Sequence, residues 1–414
     1  MSKGAENPGT SRRRVSVRDI ASYGLIAGAV LLGWQMALQP LTQRAPVETA
    51  IRLAPSSPLV LRRAAESELA AGRIDNAAAL GRDALSRSPF DVRALRVIGL
   101  TEARAGRAGP ADELLTLAGN WSLRDDPAHA WLVEHRLRRG DYASAFAHAD
   151  TLVRRREDIR PQVFELFTVA GTEDPQRALP VIANLLVARP PWRAAYLNSL
   201  NRTPQDLQLA ANLAILLETG RSPVSNEELS QIYRNLAAGN QFPALGAIRG
   251  RIGRPPASAS VTNGGFDDSE APEPFQWRVF PKAGIVAEIV ADDLRPSNPA
   301  LRVEYDGYAT GTIAEQLTSL PPGLYRFAAE VRSETGNPTA RMAWTLSCAS
   351  GGVVLADVPA GHSRATANAW ATLSGRFEIP DTCSAQWLRL ETRADDRRSP
   401  TVVWFDRITI SPVG

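Results

Sequence analysis

Apolar positions in the first two thirds of the chain recur three to four residues apart, in runs the length of short helices, and the runs themselves recur. The first is read as a helix from about Pro58 to Ala71, then a turn at Gly72 and a second helix from about Asp75 to Arg87. A frame of Gly, a polar residue and, five positions after the Gly, Ala returns as Gly72 and Ala77, Gly106 and Ala111, Gly140 and Ala145, a 34-residue step. Pro55 and Pro89, closing "AIRLAP" and "ALSRSP", keep the same step. Each small residue has a physical role. Gly at the turn tolerates positive φ, Gly99 inside a helix lets its neighbour approach, and Pro stops the second helix. One helical hairpin cannot bury its own apolar stripe, so such units stack. Past residue 155 the register slips. Ala178 to Pro190 keeps half a unit without the turn Gly, and the frame returns at Gly239 and Ala244. Five or six units are expected over residues 45–252. A Pro-, Ser- and Gly-bearing stretch, 253–260, reads as a linker. Beyond it the period changes to two, in "LYRFAAEV", "RMAWTLSC", "AQWLRLET" and "TVVWFDRITI", broken by turns, which predicts a β-sandwich over 261–414.

One stretch fits neither texture. Residues 20–38, "IASYGLIAGAVLLGWQMAL", carry no charge and as a helix would span about 28 Å, close to the hydrocarbon thickness of a bilayer. Residues 1–19 before it hold five basic residues, Arg12, Arg13 and Arg14 among them, against Glu6 and Asp19, which accounts for the whole net charge of +3. The expectation is a single-pass bacterial inner-membrane anchor with a cytoplasmic basic tail and the bulk of the chain in the periplasm. A cleaved signal peptide is the alternative, but no convincing small-residue cleavage site follows the apolar run. With no basic domain beyond the tail, nucleic acid is not an expected partner. The two cysteines, Cys348 and Cys383, are expected to pair in an oxidising compartment, the alternative being two buried thiols. His129, His135 and His148 lack metal-ligand spacing and read as packed or surface residues.

The period and the frame of small residues resemble the tetratricopeptide repeat. The resemblance implies a curved all-α solenoid whose groove binds a protein partner. In the C-terminal part "NGGFD" (263–267), "PFQW" ending at Trp277, "EQLTSLPPGLYRFAAEVRS", "WATLSGRFEIP" and "VWFDRITIS" follow in the order that resembles the jelly-roll carbohydrate-binding modules of bacterial polysaccharide-degrading enzymes. That resemblance implies a structural calcium held by Asp267, where the family has the longer Glu, and by Asp406. It also places Gln316 at a position where the family often has a sugar-facing Gln. Alternation adds the rest. Leu388 and Leu390 turn inward, so Trp387, Arg389 and Glu391 turn outward, a ring for stacking beside hydrogen-bonding groups. Tyr325, Phe327 and Val331, and Met342, Trp344, Leu346 and Cys348, read as core.

The fold expectation is therefore multidomain: a transmembrane helix, an all-α solenoid and an all-β jelly roll. The functional expectation is a non-catalytic scaffold that recruits a protein partner and touches envelope or exported polysaccharide, in its assembly or export. The alternative is a pure protein-interaction scaffold. A glycoside hydrolase would need two facing acids, and the candidates are Asp292, Asp293, Glu304 and Glu315. No Gly-x-Ser-x-Gly, His-Glu-x-x-His or phosphate loop occurs in the chain.

Overall fold

A computed structural model describes residues 42, 44–256, 260–267, 270–334, 341–361, 368–393 and 400–413. The basic tail and the apolar run 20–38 lie outside the described residues. The chain divides into two compact units, residues 1–152 and 153–414.

The first unit is built of antiparallel helical hairpins. A leading helix α1 (Val47–Leu53) is followed by α2 (Pro58–Ala70) with α3 (Ile74–Arg87), α4 (Val92–Arg104) with α5 (Ala108–Trp121), and α6 (Asp126–Arg138) with α7 (Tyr142–Val153). The turn glycines of the 34-residue frame all take positive φ: 77° at Gly72, 77° at Gly106 and 67° at Gly140. Gly99 meets the other demand. A Cβ there would lie 2.7 Å from Leu115 Cγ, so the α4–α5 spacing excludes any larger residue. Asp91 and Asp125 cap α4 and α6 by accepting backbone N–H groups. The core is small-residue rich, with Ala111, Ala118 and Ala128 fully buried beside Leu115 and Leu132, and Ala94 fully buried with Leu61 and Ala84.

The second unit opens with four helices in sequence, α8 (Arg160–Glu173), α9 (Pro175–Val187), α10 (Arg193–Ser199) and α11 (Pro204–Glu218), and then α12 (Asn226–Ala238) and α13 (Phe242–Ile252). The missing turn Gly between α8 and α9 is explained by Pro175. It takes the first helical position and needs no left-handed residue, only the single bend at Asp174. At the end of α12 the sequence reading is corrected. Asn240, not Gly239, carries the positive φ (55°), whereas Gly239 stays at −82° and is required because a Cβ would lie 2.5 Å from Leu207 Cδ1.

The rest of this unit is a sandwich of two five-stranded antiparallel sheets. One has the order β1 (Arg278–Val279), β4 (Gly311–Thr318), β9 (Gln386–Thr392), β6 (Met342–Cys348), β7 (Val354–Pro359). The other has β2 (Ile285–Asp292), β3 (Arg295–Tyr305), β10 (Thr401–Pro412), β5 (Gly323–Ser333), β8 (Ala371–Ile379). Trp344 sits at the centre, with Trp277, Phe327 and Phe405 rings within 5.9 Å of its centroid. Tyr325, Phe327, Val331, Met342, Leu346 and Cys348 are buried with it, as the alternation predicts. Cys348 and Cys383 form a disulfide across 35 residues, tying the end of β6 to the turn before β9.

Sandwich and late helices are packed together rather than tethered. Arg249 of α13 is buried, its guanidinium 4.8 Å from the Phe275 ring centroid and hydrogen-bonded to Ser319 Oγ (2.6 Å) and the Pro256 carbonyl (2.8 Å). Tyr233 sets its ring edge-on to Phe275, and Arg234 pairs with Glu273 at 2.7 Å.

Candidate functional site

The sheet β1-β4-β9-β6-β7 turns one face inward and one outward. On β9, Leu388 and Leu390 are buried, while Trp387, Arg389 and Glu391 are half-buried on the outer face. Register fixes their neighbours. Arg389 lies opposite Glu315 on β4 and Thr345 on β6, and Glu315 lies opposite Arg278 on β1. The side chains join in the same row: Arg389 Nε donates to Glu315 Oε2 at 3.0 Å, Arg278 reaches the other Glu315 oxygen at 3.4 Å, and the Arg389 guanidinium lies 5.1 Å from the Trp387 ring centroid. Glu391 accepts from Thr345 Oγ1 at 2.9 Å and from Thr312 Oγ1 at 3.5 Å. Phe280, two residues from Arg278, takes that guanidinium 5.0 Å from its ring. At the far edge Arg393 pairs with Asp357. The result is a polar strip across the sheet with an aromatic ring at Trp387 and another at Phe280.

Gln316 does not join this strip, and its expected place on a sugar-facing surface is corrected. It lies opposite Leu388, on the inward side of β4, and is fully buried. Its Nε2 donates to the Thr262 carbonyl (2.7 Å) and its Oε1 accepts the Thr262 N–H (2.8 Å), pinning the segment that enters the sandwich. The residue whose outward side chain joins the strip on β4 is Glu315, which sequence reasoning had placed only among possible catalytic acids. β4 is buried along both faces after its first two residues, so its parity was hidden; pairing with β9 supplies it.

Asp267 and Asp406 approach one point. The opening loop and the last strand are joined by Ile408 N–H donating to the Gly264 carbonyl at 2.8 Å. A Cβ on Gly265 would fall 2.7 Å from Asp267 Oδ2 and 4.0 Å from Asp406 Oδ1. Asp406 is fully buried, accepts from Arg407 N (2.6 Å) and Asn298 Nδ2 (2.9 Å), and has Arg295 at 3.6 Å. Two hard carboxylate donors beside a glycine cradle fit calcium chemistry, with Arg295 as a competing internal counter-charge. Among the described residues no group of three or more His, Cys, Asp or Glu is placed for a metal.

The other acids are dispersed. Asp292 on β2 is buried against Arg332 at 2.9 Å, Asp293 in the turn after it pairs with the same guanidinium, and Glu304 on β3 pairs with Arg302 at 3.2 Å, β2 and β3 belonging to the sheet opposite Glu315. Arg332 itself is covered: its guanidinium lies 4.7 Å from the Trp404 ring and 5.7 Å from the Trp370 ring. In the helices, His129 and His148 pack Nδ1 to Nδ1 at 3.0 Å; burial and the neighbouring His129 push His148 down to about 4. A cavity of about 530 Å³ opens between α10 and α12, lined by Arg189, Arg193, Asn198, Glu228, Gln231 and Arg234 among others.

No protein-family model matches the chain, and no curated protein matches it. Solved structures similar to it include carbohydrate-binding modules and tetratricopeptide repeat proteins. A structure described as a CBM4 module is 16% identical over 37% of this chain and 100% of its own, with a TM-score of 0.28. The CBM22-1 xylan-binding domain from Paenibacillus barcinonensis Xyn10C is 18% identical over 33% of this chain and 85% of its own, TM-score 0.26. A tetratricopeptide repeat protein from Parabacteroides merdae is 12% identical over 55% of this chain and 90% of its own, TM-score 0.27.

Proposed function

We propose that this chain is a non-catalytic scaffold of the bacterial envelope. It is held to the inner membrane through residues 20–38, its repeats take up a protein partner, and its sandwich contacts polysaccharide. The observation that carries the sugar reading is the outer strip of the β9 sheet. A half-buried Trp387 offers a ring to a pyranose face, and Arg389, Glu315, Glu391 and Thr345 beside it are held in place by mutual contacts. Groups already fixed lose little freedom on meeting a hydroxyl-rich chain. The protein partner is assigned to the helical groove, where the polar cavity between α10 and α12 supplies both charges. Assembly or export of a surface polysaccharide is the process that would use both contacts. A calcium ion, held by Asp267 and Asp406, would join the two ends of the sandwich chain. The same fold with no sugar contact, a protein-only scaffold, is the competing reading.

Affinity electrophoresis of the full-length chain in gels containing bacterial polysaccharides tests the proposal. Retardation by at least one polymer is expected, lost on Trp387→Ala. Migration unaffected by every polymer selects the protein-only scaffold.

A further inference from the structure

Five large apolar side chains stay exposed among the described residues of the first unit, and all five lie at one edge of the hairpins. Leu53 ends α1, Phe90 sits in the turn after α3, Leu117 and Trp121 occupy the last turns of α5, and Leu123 lies in the turn after it. Phe90 is 81% exposed and Leu123 64%, yet the Phe90 and Trp121 rings are only 5.9 Å apart, so this is a patch rather than a scatter. In the 34-residue register Leu53 and Trp121 are equivalent positions, with Arg87 between them.

The charges at that edge are sorted as well. Arg52, Arg87 and Arg124 are exposed there. Two of the acids there, Asp91 and Asp125, are turned inward, spent as helix caps and on Arg62 and Arg96, while Asp126 stays partly exposed. Arg87 pairs with Asp83 one helical turn away, at 3.0 Å. The opposite edge, where the chain turns at Gly72 and Gly106, carries the ion pairs Arg73–Glu68 and Arg107–Glu102 and no large exposed apolar side chain among the described residues.

We infer that the edge bearing Leu53, Phe90, Trp121 and Leu123 rests on the surface of a bilayer containing anionic lipid. The inference depends on the anchor reading of residues 20–38. Trp, Phe and Leu flanked by Arg is the composition that partitions into the headgroup boundary, the rings entering it and the guanidinium groups meeting lipid phosphate. Chain length keeps the first hairpins close to that surface. The uncharged run ends at Leu38, only eight residues before α1 begins at Val47. Eight residues reach at most about 29 Å even fully extended. A protein partner on the same patch would need no arginine bias and no proximity to the apolar run.

The test uses the full chain reconstituted in vesicles of phosphatidylcholine and phosphatidylglycerol with brominated acyl chains. Because Cys348 and Cys383 are paired with each other, a new thiol takes a fluorophore selectively. Leu123→Cys reports the apolar edge, and Ala108→Cys, beside the Gly106 turn, reports the opposite one. Quenching at 123 at least threefold above that at 108 is expected, falling at least twofold when Phe90→Ser is added. Equal quenching at the two positions in chain that floats with the vesicles overturns the inference and leaves the anchor standing. Chain that does not float with vesicles overturns the anchor, and the inference with it. Self-quenching at 123 that grows with protein density overturns it in favour of contact between two copies.

Discussion

The close contact at Gly99 can be turned into a number. Ala is the better helix former by about 1 kcal/mol, so Gly99→Ala should stabilise α4 if nothing else intervened. The structure says something does. The added methyl would lie 2.7 Å from Leu115 Cγ, 2.9 Å from its Cδ2 and 3.2 Å from Leu114 Cβ. Leu115 is fully buried, and the clash falls on its branch carbon, not on a free tip, so it cannot swing aside. Overpacking of this kind costs about 2–3 kcal/mol, leaving a net loss of about 1–2 kcal/mol after the propensity gain. Gly109 in α5 provides the control, since a Cβ there meets nothing within 4 Å and Gly109→Ala should be neutral or stabilising by up to about 1 kcal/mol. A chain of two compact units need not unfold in one step, so the assay is local: hydrogen exchange of peptides covering 92–121. Exchange in Gly99→Ala should be about 5–30-fold faster than in the native chain, which is the same free energy expressed as a ratio. Exchange unchanged or slowed in both variants would mean that Gly99 does not set the α4–α5 distance, and the reason given for the small-residue frame would fail.

His148, depressed from 6.5 to about 4 in the folded chain, contributes stability that is full above its unfolded value and lost as pH falls from about 6.5 towards 4. Discounted for its partial exposure, the loss is about 1–2 kcal/mol. The urea midpoint of the native chain should fall more than that of His148→Gln between pH 7 and pH 4.5, and parallel curves would contradict it. Gln316→Ala should destabilise the sandwich by about 2–4 kcal/mol, through two lost hydrogen bonds and a buried void, while leaving glycan affinity intact in the folded protein. A loss of affinity without a loss of stability would return Gln316 to the binding surface. If calcium is held by Asp267 and Asp406, chelation should lower the melting temperature of the sandwich, and Asp267→Asn should abolish the difference. Identical melting with and without chelator removes the ion from the proposal.

The helical half was legible because its signals are local. A glycine at a tight turn is demanded by φ at that residue alone, and three of them 34 apart fix the hairpin frame at Gly72, Gly106 and Gly140. The outer face of β9 was legible for a similar reason, since Leu388 and Leu390 alternate cleanly with Trp387 and Arg389. Where both sides of an element are buried, local pattern carries no parity. β4 is such a strand, and only its register with β9 shows that Glu315 faces out and Gln316 in. Gly239 and Asn240 illustrate a third limit. Either residue can take the left-handed conformation; Asn240 does, while Gly239 stays right-handed at a place where Leu207, distant in sequence, leaves no room for a Cβ. The stretch from 253 to 260 has the composition of a flexible connector, yet Arg249 and Phe275, one on each side of it, hold the flanking elements together, which no composition rule can see.

That Arg249 joint has a mechanical consequence. A wobbling tip would let a captured polymer diffuse freely about its attachment point. Here the guanidinium lies on Phe275 and bonds to Ser319 and Pro256, so α13 is tied to the sandwich, and a strand held at Trp387, as proposed, would meet a partner seated between α10 and α12 along a restricted range of bearings. Loosening that joint would leave each grip intact and spoil the aim.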